Sequence, residues 1–311
     1  MSNESPKEAG PQLLGQALIL LAAAGFGSLA IFAKYAYAEG FGVAWLLALR
    51  FLVAAGVSWL VAFRQGIPPR YPLITLIGLL ALGVLYVGNA SLFFLALERI
   101  PASWASLLFY TYPALVTMVA VLRLRESLST TRWIALVAAM LGTALVVSAR
   151  GEVRLSEVGV AMALGAALVF SLYVILGGQW MAGLRADIAS AWVMSASAAV
   201  FLLISLIGGQ VTLTVSPRAW ALVVGMAVIG TAMPIQAFLA GLKRIGASRA
   251  AVVSTFEPVV TVALAATLLG ETLAPTQALG GALILSAVFL LARERVPAEW
   301  QVQPRTVISP E

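Results

Sequence analysis

Long uncharged runs, broken by short polar punctuation, dominate this chain. Tyr71–Leu97, Val158–Leu184, Ile188–Pro217, Ala219–Leu242 and Thr272–Ala292 contain no Asp, Glu, Lys or Arg. Each is long enough to cross about 30 Å of hydrocarbon as a helix of about 20 residues. One such run could be a signal peptide or a core helix, but many spread along the chain cannot. The pattern predicts ten helices, over 13–36, 42–63, 73–96, 103–123, 132–149, 157–178, 188–208, 218–240, 248–269 and 276–292. The connections are short and hold most of the Pro, Gly and charged residues, and no gap could house a separate soluble domain. The start, MSNESPKEAG, is polar and lacks a cleavage-like site after a short apolar region, so the first run reads as retained.

Composition sharpens this picture. Hydrophobic residues make up 61% of the 311, charged residues only 10%, and mean hydropathy is +1.00. Soluble domains use roughly 25% charged residues. With no cysteine and no histidine, disulfides, thiol chemistry, histidine bases and the usual soft-metal sites are excluded. No metal or cofactor is expected. The net charge of +6 does not point to nucleic acid, because the cations lie scattered in short loops. With the N-terminus inside, thirteen of the 19 Lys and Arg fall on the cytoplasmic side and five outside, Arg50 being within a helix. That bias predicts both termini in the cytoplasm, with tails over 1–12 and 293–311.

An internal repeat is visible. LERIPASWASLLFYTYP (97–113) aligns with LKRIGASRAAVVSTFEP (242–258) at an offset of 145, and the same offset places RESL (125–128) on GETL (270–273). Two five-helix halves, 13–149 and 157–292, are the simplest account. Because five is odd, equivalent helices would cross in opposite directions, a recurrent transporter plan with the substrate site between the halves. The fold class expected is therefore an all-α integral membrane protein with ten transmembrane helices in two inverted five-helix repeats. Pro113 and Pro258 occupy one equivalent position. Each ring removes a donor and clashes with the carbonyl four residues back, that of Phe109 or Ser254, so both helices should loosen near mid-membrane. These prolines serve either as hinges or as plain packing kinks.

Glu257 stands among apolar residues, roughly 14 Å into the ninth helix by helical rise. Lipid exposure would be costly, so it should face the bundle interior. It could couple transport to protons, attract a substrate ammonium group, or act structurally against a neighbouring helix, with Arg50 as one conceivable charge partner. Its repeat equivalent is Tyr112. Arg50 could instead snorkel or hold a carboxylate, and Lys34, near a helix end, reads as snorkelling. Tyr86, Asn89 and Phe93 share a face of the third helix. With Tyr110, Tyr173, Gln236 and Glu257 they form the candidate substrate-binding set, an apolar and aromatic lining with a few polar groups. Phe170 lies on the same helix as Tyr173. Aromatics are also common in membrane cores, and Trp45, Trp59, Trp133, Trp192 and Trp220 lie near enough to helix ends to be interfacial anchors. The small-residue stretches LGTALVV and LGGALILSA in the fifth and tenth helices read as packing or dimer surface.

The two motif stretches, LERIPASWASLLFYTYPALVTMVAVLRLRESL and LKRIGASRAAVVSTFEPVVTVALAATLLGETL, resemble the drug/metabolite transporter superfamily, specifically its ten-helix EamA-type members. The second stretch, with Glu257–Pro258 and Gly270–Glu271, is the more typical. Tyr112–Pro113 and Arg125–Glu126 depart from the Glu-Pro and Gly-Glu form. The resemblance covers residues 13–292. It implies an inner-membrane carrier of small molecules working by alternating access. The residues offer no reactive constellation, so no enzyme is expected, and the chain should be a monomer or weak homodimer surrounded by lipid. It also implies that Glu126 and Glu271 are structural caps near the membrane surface. The first helix with Phe26–Gly27–Ser28, together with the aromatic and glutamine content of the centre, is similar to bacterial aromatic-amino-acid exporters. The expectation is export of amino acids with aromatic ones preferred. The alternative is export of drugs or hydrophobic cations, with a channel or membrane-embedded enzyme ranked below.

Overall fold

A computed structural model describes residues 6–66, 70–124, 129–148, 156–181, 183–212 and 216–293. It is all α. The helices are α1 (Pro6–Ala38), α2 (Val43–Arg64), α3 (Leu73–Leu97), α4 (Ala102–Phe109), α5 (Tyr112–Leu124), α6 (Thr130–Ser148), α7 (Glu157–Trp180), α8 (Ala186–Ile207), α9 (Pro217–Ala227), α10 (Met233–Ser254), α11 (Phe256–Leu268) and α12 (Pro275–Arg293), with a π-helical turn, Val228–Ala232, between α9 and α10. Among the described residues, eight stretches are long and apolar enough to span a membrane, and two shorter apolar helices cover Trp133–Val147 and Val252–Leu268. The protein is a multi-span membrane protein. Large apolar side chains such as Ile74, Phe63, Leu203 and Ile207 stand exposed on its outside, as hydrocarbon contact allows and water would not. The predicted cap Glu126, the rest of RESL and the segments 149–155 and 294–311 lie outside the described residues.

Two predicted helices are each broken where their prolines dictate. The fourth predicted span stops at Phe109 and resumes at Tyr112 as α5; the ninth stops at Ser254 and resumes at Phe256 as α11. Phe109 and Ser254 are the residues whose carbonyls lose a partner to Pro113 and Pro258. The junctions are mild: Tyr110 has φ −70°, ψ 6° and Thr255 φ −63°, ψ −11°. Each helix is therefore interrupted for only one or two residues without unwinding. Other departures are at the ends. α1 begins at Pro6 rather than 13, proline being suited to a helix's first turn. α10 carries the chain through the turn between the eighth and ninth predicted spans, which pivots on Gly246 at φ 77°, ψ 165°, a backbone region closed to residues with a Cβ.

The helices pair in a pattern that exchanges the two halves. α1 packs on α10 and α11, while α7 packs on α3, α4 and α5; α2 lies on α8, α6 on α12 and α4 on α11. The start of α1 and the start of α7 make equivalent contacts. A Cβ on Gly15 would strike Ile245 and Arg244, and one on Gly159 would strike Ile100 and Arg99. α6 and α12 touch backbone to backbone: a Cβ on Gly142 would lie 2.6 Å from the Gly280 carbonyl, and a Cβ on Gly280 would lie 2.6 Å from the Gly142 carbonyl. The LGTALVV and LGGALILSA stretches thus pack on each other within one chain.

Candidate functional site

The two breaks meet at the centre. The Tyr110 hydroxyl donates to the Ser254 carbonyl at 3.3 Å, re-satisfying the group Pro258 frees, as backbone at membrane depth requires. Tyr110 and Tyr112 both interact with the Glu257 carboxyl. Tyr112 and Glu257 are repeat equivalents, so matching positions face each other across the junction. No cation pairs with Glu257 among the described residues. The backbone of Glu257 is held by α1: a Cβ on Gly27 would lie 2.8 Å from the Glu257 carbonyl, and the Thr261 hydroxyl donates to the Gly27 carbonyl at 3.0 Å. Gly27 of GFGS lets α1 approach this closely, which keeps the acid at a fixed place, while Gly25 gives α1 room against Ile229 and Pro234.

Aromatic rings continue from this point. Tyr112 meets Phe170 at 4.8 Å between ring centres, and Phe109 meets Phe93 at 5.2 Å. Phe170 stacks on Tyr173, which meets Tyr86 at 5.1 Å. Of the residues predicted from sequence, Tyr86, Phe93, Tyr110, Tyr173 and Glu257 therefore belong to one connected cluster drawn from α3, the α4–α5 junction, α7 and α11. Phe109, Tyr112 and Phe170 complete it. Phe170 is its hub, touching rings from α3, the α4–α5 junction and α7. Edge-on and tilted ring pairs of this kind contribute about 0.5–1.5 kcal/mol each beyond burial. Asn89 is 6% exposed and its Oδ1 has no hydrogen-bond partner among the described residues. Gln236 Nε2, on α10, is likewise buried without one among the described residues. Unpartnered buried amides are costly, and both remain available to a ligand.

Arg50 is placed differently from the expected pairing. No ion pair joins it to Glu257. Its Nε donates to Thr231 Oγ1 at 2.8 Å, and its guanidinium carbon lies 4.7 Å from the Phe51 ring centre and 5.3 Å from that of Phe94. It is 3% exposed, so it does not snorkel. The Tyr86 and Tyr37 hydroxyls lie close to it. Lys34 does not simply snorkel either: its Nζ donates to the Ile100 carbonyl at 2.9 Å, close to Glu271.

Glu271 ties the halves together at that end. Its carboxylate accepts from the Ala102 amide at 2.7 Å, the Ser103 amide at 2.9 Å and the Ser103 hydroxyl at 2.6 Å. It thus caps α4 from the far end of α11, where an anion complements the helix dipole. Tyr35 and Tyr37 add bonds from the end of α1 to the Leu268 and Phe94 carbonyls. Among the tryptophans, Trp45 is 7% exposed and its Nε1 donates to the Thr212 carbonyl at 2.9 Å, so it clamps α2 to the segment after α8 rather than floating at the interface; Trp133 is 55% exposed. Trp59 bonds Ser195 Oγ and packs on Trp192.

The family model of the EamA-like transporter family matches residues 13–148 and again 157–293. The chain belongs to the EamA-like transporter family. Relatives of similar length include an uncharacterized transporter of Bacillus subtilis (strain 168), YcbK, 28% identical over 276 residues, covering 86% of this chain and 88% of that one. An uncharacterized transporter of Archaeoglobus fulgidus is 25% identical over 280 residues, with 90% and 97% covered. A solved crystal structure superposes with a TM-score of 0.63 at 20% identity, over 90% of this EamA-like chain and 97% of the other. At that identity it supports the fold alone. The protein is a small-molecule membrane transporter of the drug/metabolite type.

Proposed function

We propose that the protein exports amino acids, aromatic ones preferred, by alternating access through a chamber between two inverted five-helix repeats. The observation that carries the proposal is the junction of the two broken helices, where an acid without a cationic partner, Glu257, stands at the edge of a ring cluster contributed by both halves. Rings bury the apolar body of an aromatic substrate, and the acid meets its ammonium group. Burial makes the ionised form of a lone acid expensive inside the membrane, a cost that a cationic group on the substrate offsets.

The inverted arrangement is supported by the exchange of helix partners between halves. It is also supported by direction: α4 starts at the end where α1 and α11 finish, whereas the ninth span starts beside Gly15, at the beginning of α1. Orientation in a bacterial inner membrane with both termini cytoplasmic is supported by Arg64, Arg70, Arg185, Lys243, Arg244, Arg249 and Arg293 at one end, against Lys34, Arg99 and Arg218 at the other. The packing of α6 on α12 uses up a small-residue surface and favours a monomer or weak dimer.

The same unpaired acid beside aromatic faces favours hydrophobic cations as a second reading. Counterflow into proteoliposomes separates the two. Labelled L-phenylalanine should enter saturably and be displaced by L-tyrosine and L-tryptophan more than by tetraphenylphosphonium; the opposite order selects the second reading, and no saturable uptake of either class sinks both. Glu257→Gln, assayed with and without a pH gradient, reports coupling. Expected is loss of the gradient's effect, and unchanged gradient-driven uptake removes Glu257 from that role.

A further inference from the structure

Arg50 is a buried charge whose partners are incomplete. Its Nε is committed to Thr231 and its faces to the Phe51 and Phe94 rings. A guanidinium has five N–H donors. Around its remaining N–H groups stand two neutral hydroxyls, Tyr86 and Tyr37, the latter donating its proton to the Phe94 carbonyl, and no carboxylate pairs with Arg50 among the described residues; Glu98, just after α3, is engaged by Arg99 at 3.4 Å.

The π-helical turn explains how Arg50 is aimed. Pro234 cannot donate to the carbonyl of Gly230, and the ladder slips: the Met233 amide reaches back to the Val228 carbonyl, and the Thr231 hydroxyl to the Met226 carbonyl at 3.1 Å. Thr231 donates its only proton to that carbonyl, so its oxygen is left as a pure acceptor for Arg50 Nε. Single π turns inside helices recur at functional sites. One edge of the fork is pinned and the other is turned toward Tyr86, a member of the aromatic cluster through Phe170 and Tyr173.

We propose that Arg50, oriented by the Val228–Ala232 π turn through Thr231, is a carboxylate-binding site at the Tyr86 end of the aromatic cluster, opposite the Glu257 end. The planar fork matches a carboxylate in bidentate geometry, which lysine cannot reproduce. The ligand class is a monocarboxylate carrying an aromatic ring; the ring requirement rests on the transport reading above, whereas the anion requirement rests on Arg50 alone.

The test is thermal unfolding of the detergent-purified full chain with 3-phenylpropionate or its uncharged analogue 3-phenylpropanamide. The acid should raise the midpoint in a saturable way and the amide should not. R50K and T231V should each weaken the acid's apparent affinity at least about tenfold, while T231S, which keeps the acceptor, should bind as the parent does. An amide as effective as the acid, no shift with the acid, or T231V binding like T231S would overturn the proposal. Should R50K fail to fold, the Thr231 pair decides. Phenylalanine counterflow run in parallel keeps the two readings apart: an Arg50-dependent shift without amino-acid uptake retains the anion site and sinks amino-acid export, and uptake without that shift does the reverse.

Discussion

Replacing Glu271 tests the cross-half cap most sharply. Its carboxylate accepts three hydrogen bonds, all of 2.9 Å or less, two from the first backbone amides of α4. Hydrogen bonds to a charged group contribute about 1.5–3 kcal/mol each net. The site is half-buried at the end of the bundle, so water replaces part of what is lost. Glu271→Ala should therefore cost about 2–3 kcal/mol locally, within reach of the largest helix-cap effects. Glu271→Gln keeps one acceptor and loses the charge facing Lys34, and should cost about 1–2 kcal/mol. At about 1.4 kcal/mol per factor of ten, local opening becomes about 30–150-fold more frequent in the first case and about 5–30-fold in the second. Hydrogen exchange of the peptide covering residues 98–106, followed by mass spectrometry, reads this directly, and peptides from α2 and α8 serve as internal controls. Unchanged exchange at 98–106 in Glu271→Ala, with helicity intact, would refute the claim that this acid holds α4.

Two further substitutions follow from the backbone. Pro258→Ala returns a donor to the Ser254 carbonyl and lets α10 run into α11; a proline inside a helix costs about 3 kcal/mol, so thermal stability should hold or rise while counterflow slows at least about tenfold, and undiminished transport would reduce the break to a packing kink. Gly280→Val puts a side chain against the Gly142 carbonyl and Val146, and should destabilise by about 1–3 kcal/mol, read as a lower unfolding midpoint in detergent.

Much of the scaffold was readable from residue order because its causes are local. Uncharged runs mark the spans, and Pro113 and Pro258 mark the breaks to the residue, since the lost hydrogen bond lies a fixed four positions back. The same argument applied to Pro234 would have pointed at Gly230 and so at the π turn; there the chain relaxes by slipping its ladder instead of stopping, which residue order alone does not distinguish. Partners of long polar side chains were not legible. Arg50, Lys34 and Trp45 each reach across to another helix, and only the packing of α2 on the π turn, or of α1 beside the α3–α4 turn, decides which oxygen they meet. The aromatic cluster was half visible: Tyr86 and Phe93 share a face by spacing, but the role of Phe170 as hub depends on α7 lying against both α3 and the α4–α5 junction.

The claim beneath the rest is that the junction beside Glu257 opens in turn to either face of the membrane. The chain has no cysteine, so Tyr112→Cys supplies a single thiol facing that acid. Its reaction with a membrane-impermeant maleimide, added to one face of proteoliposomes at a time, is the measurement. The account predicts labelling from both faces, with L-phenylalanine changing the two rates in opposite directions. A thiol that stays unreactive from both faces, yet labels fully once the protein is denatured, would contradict it.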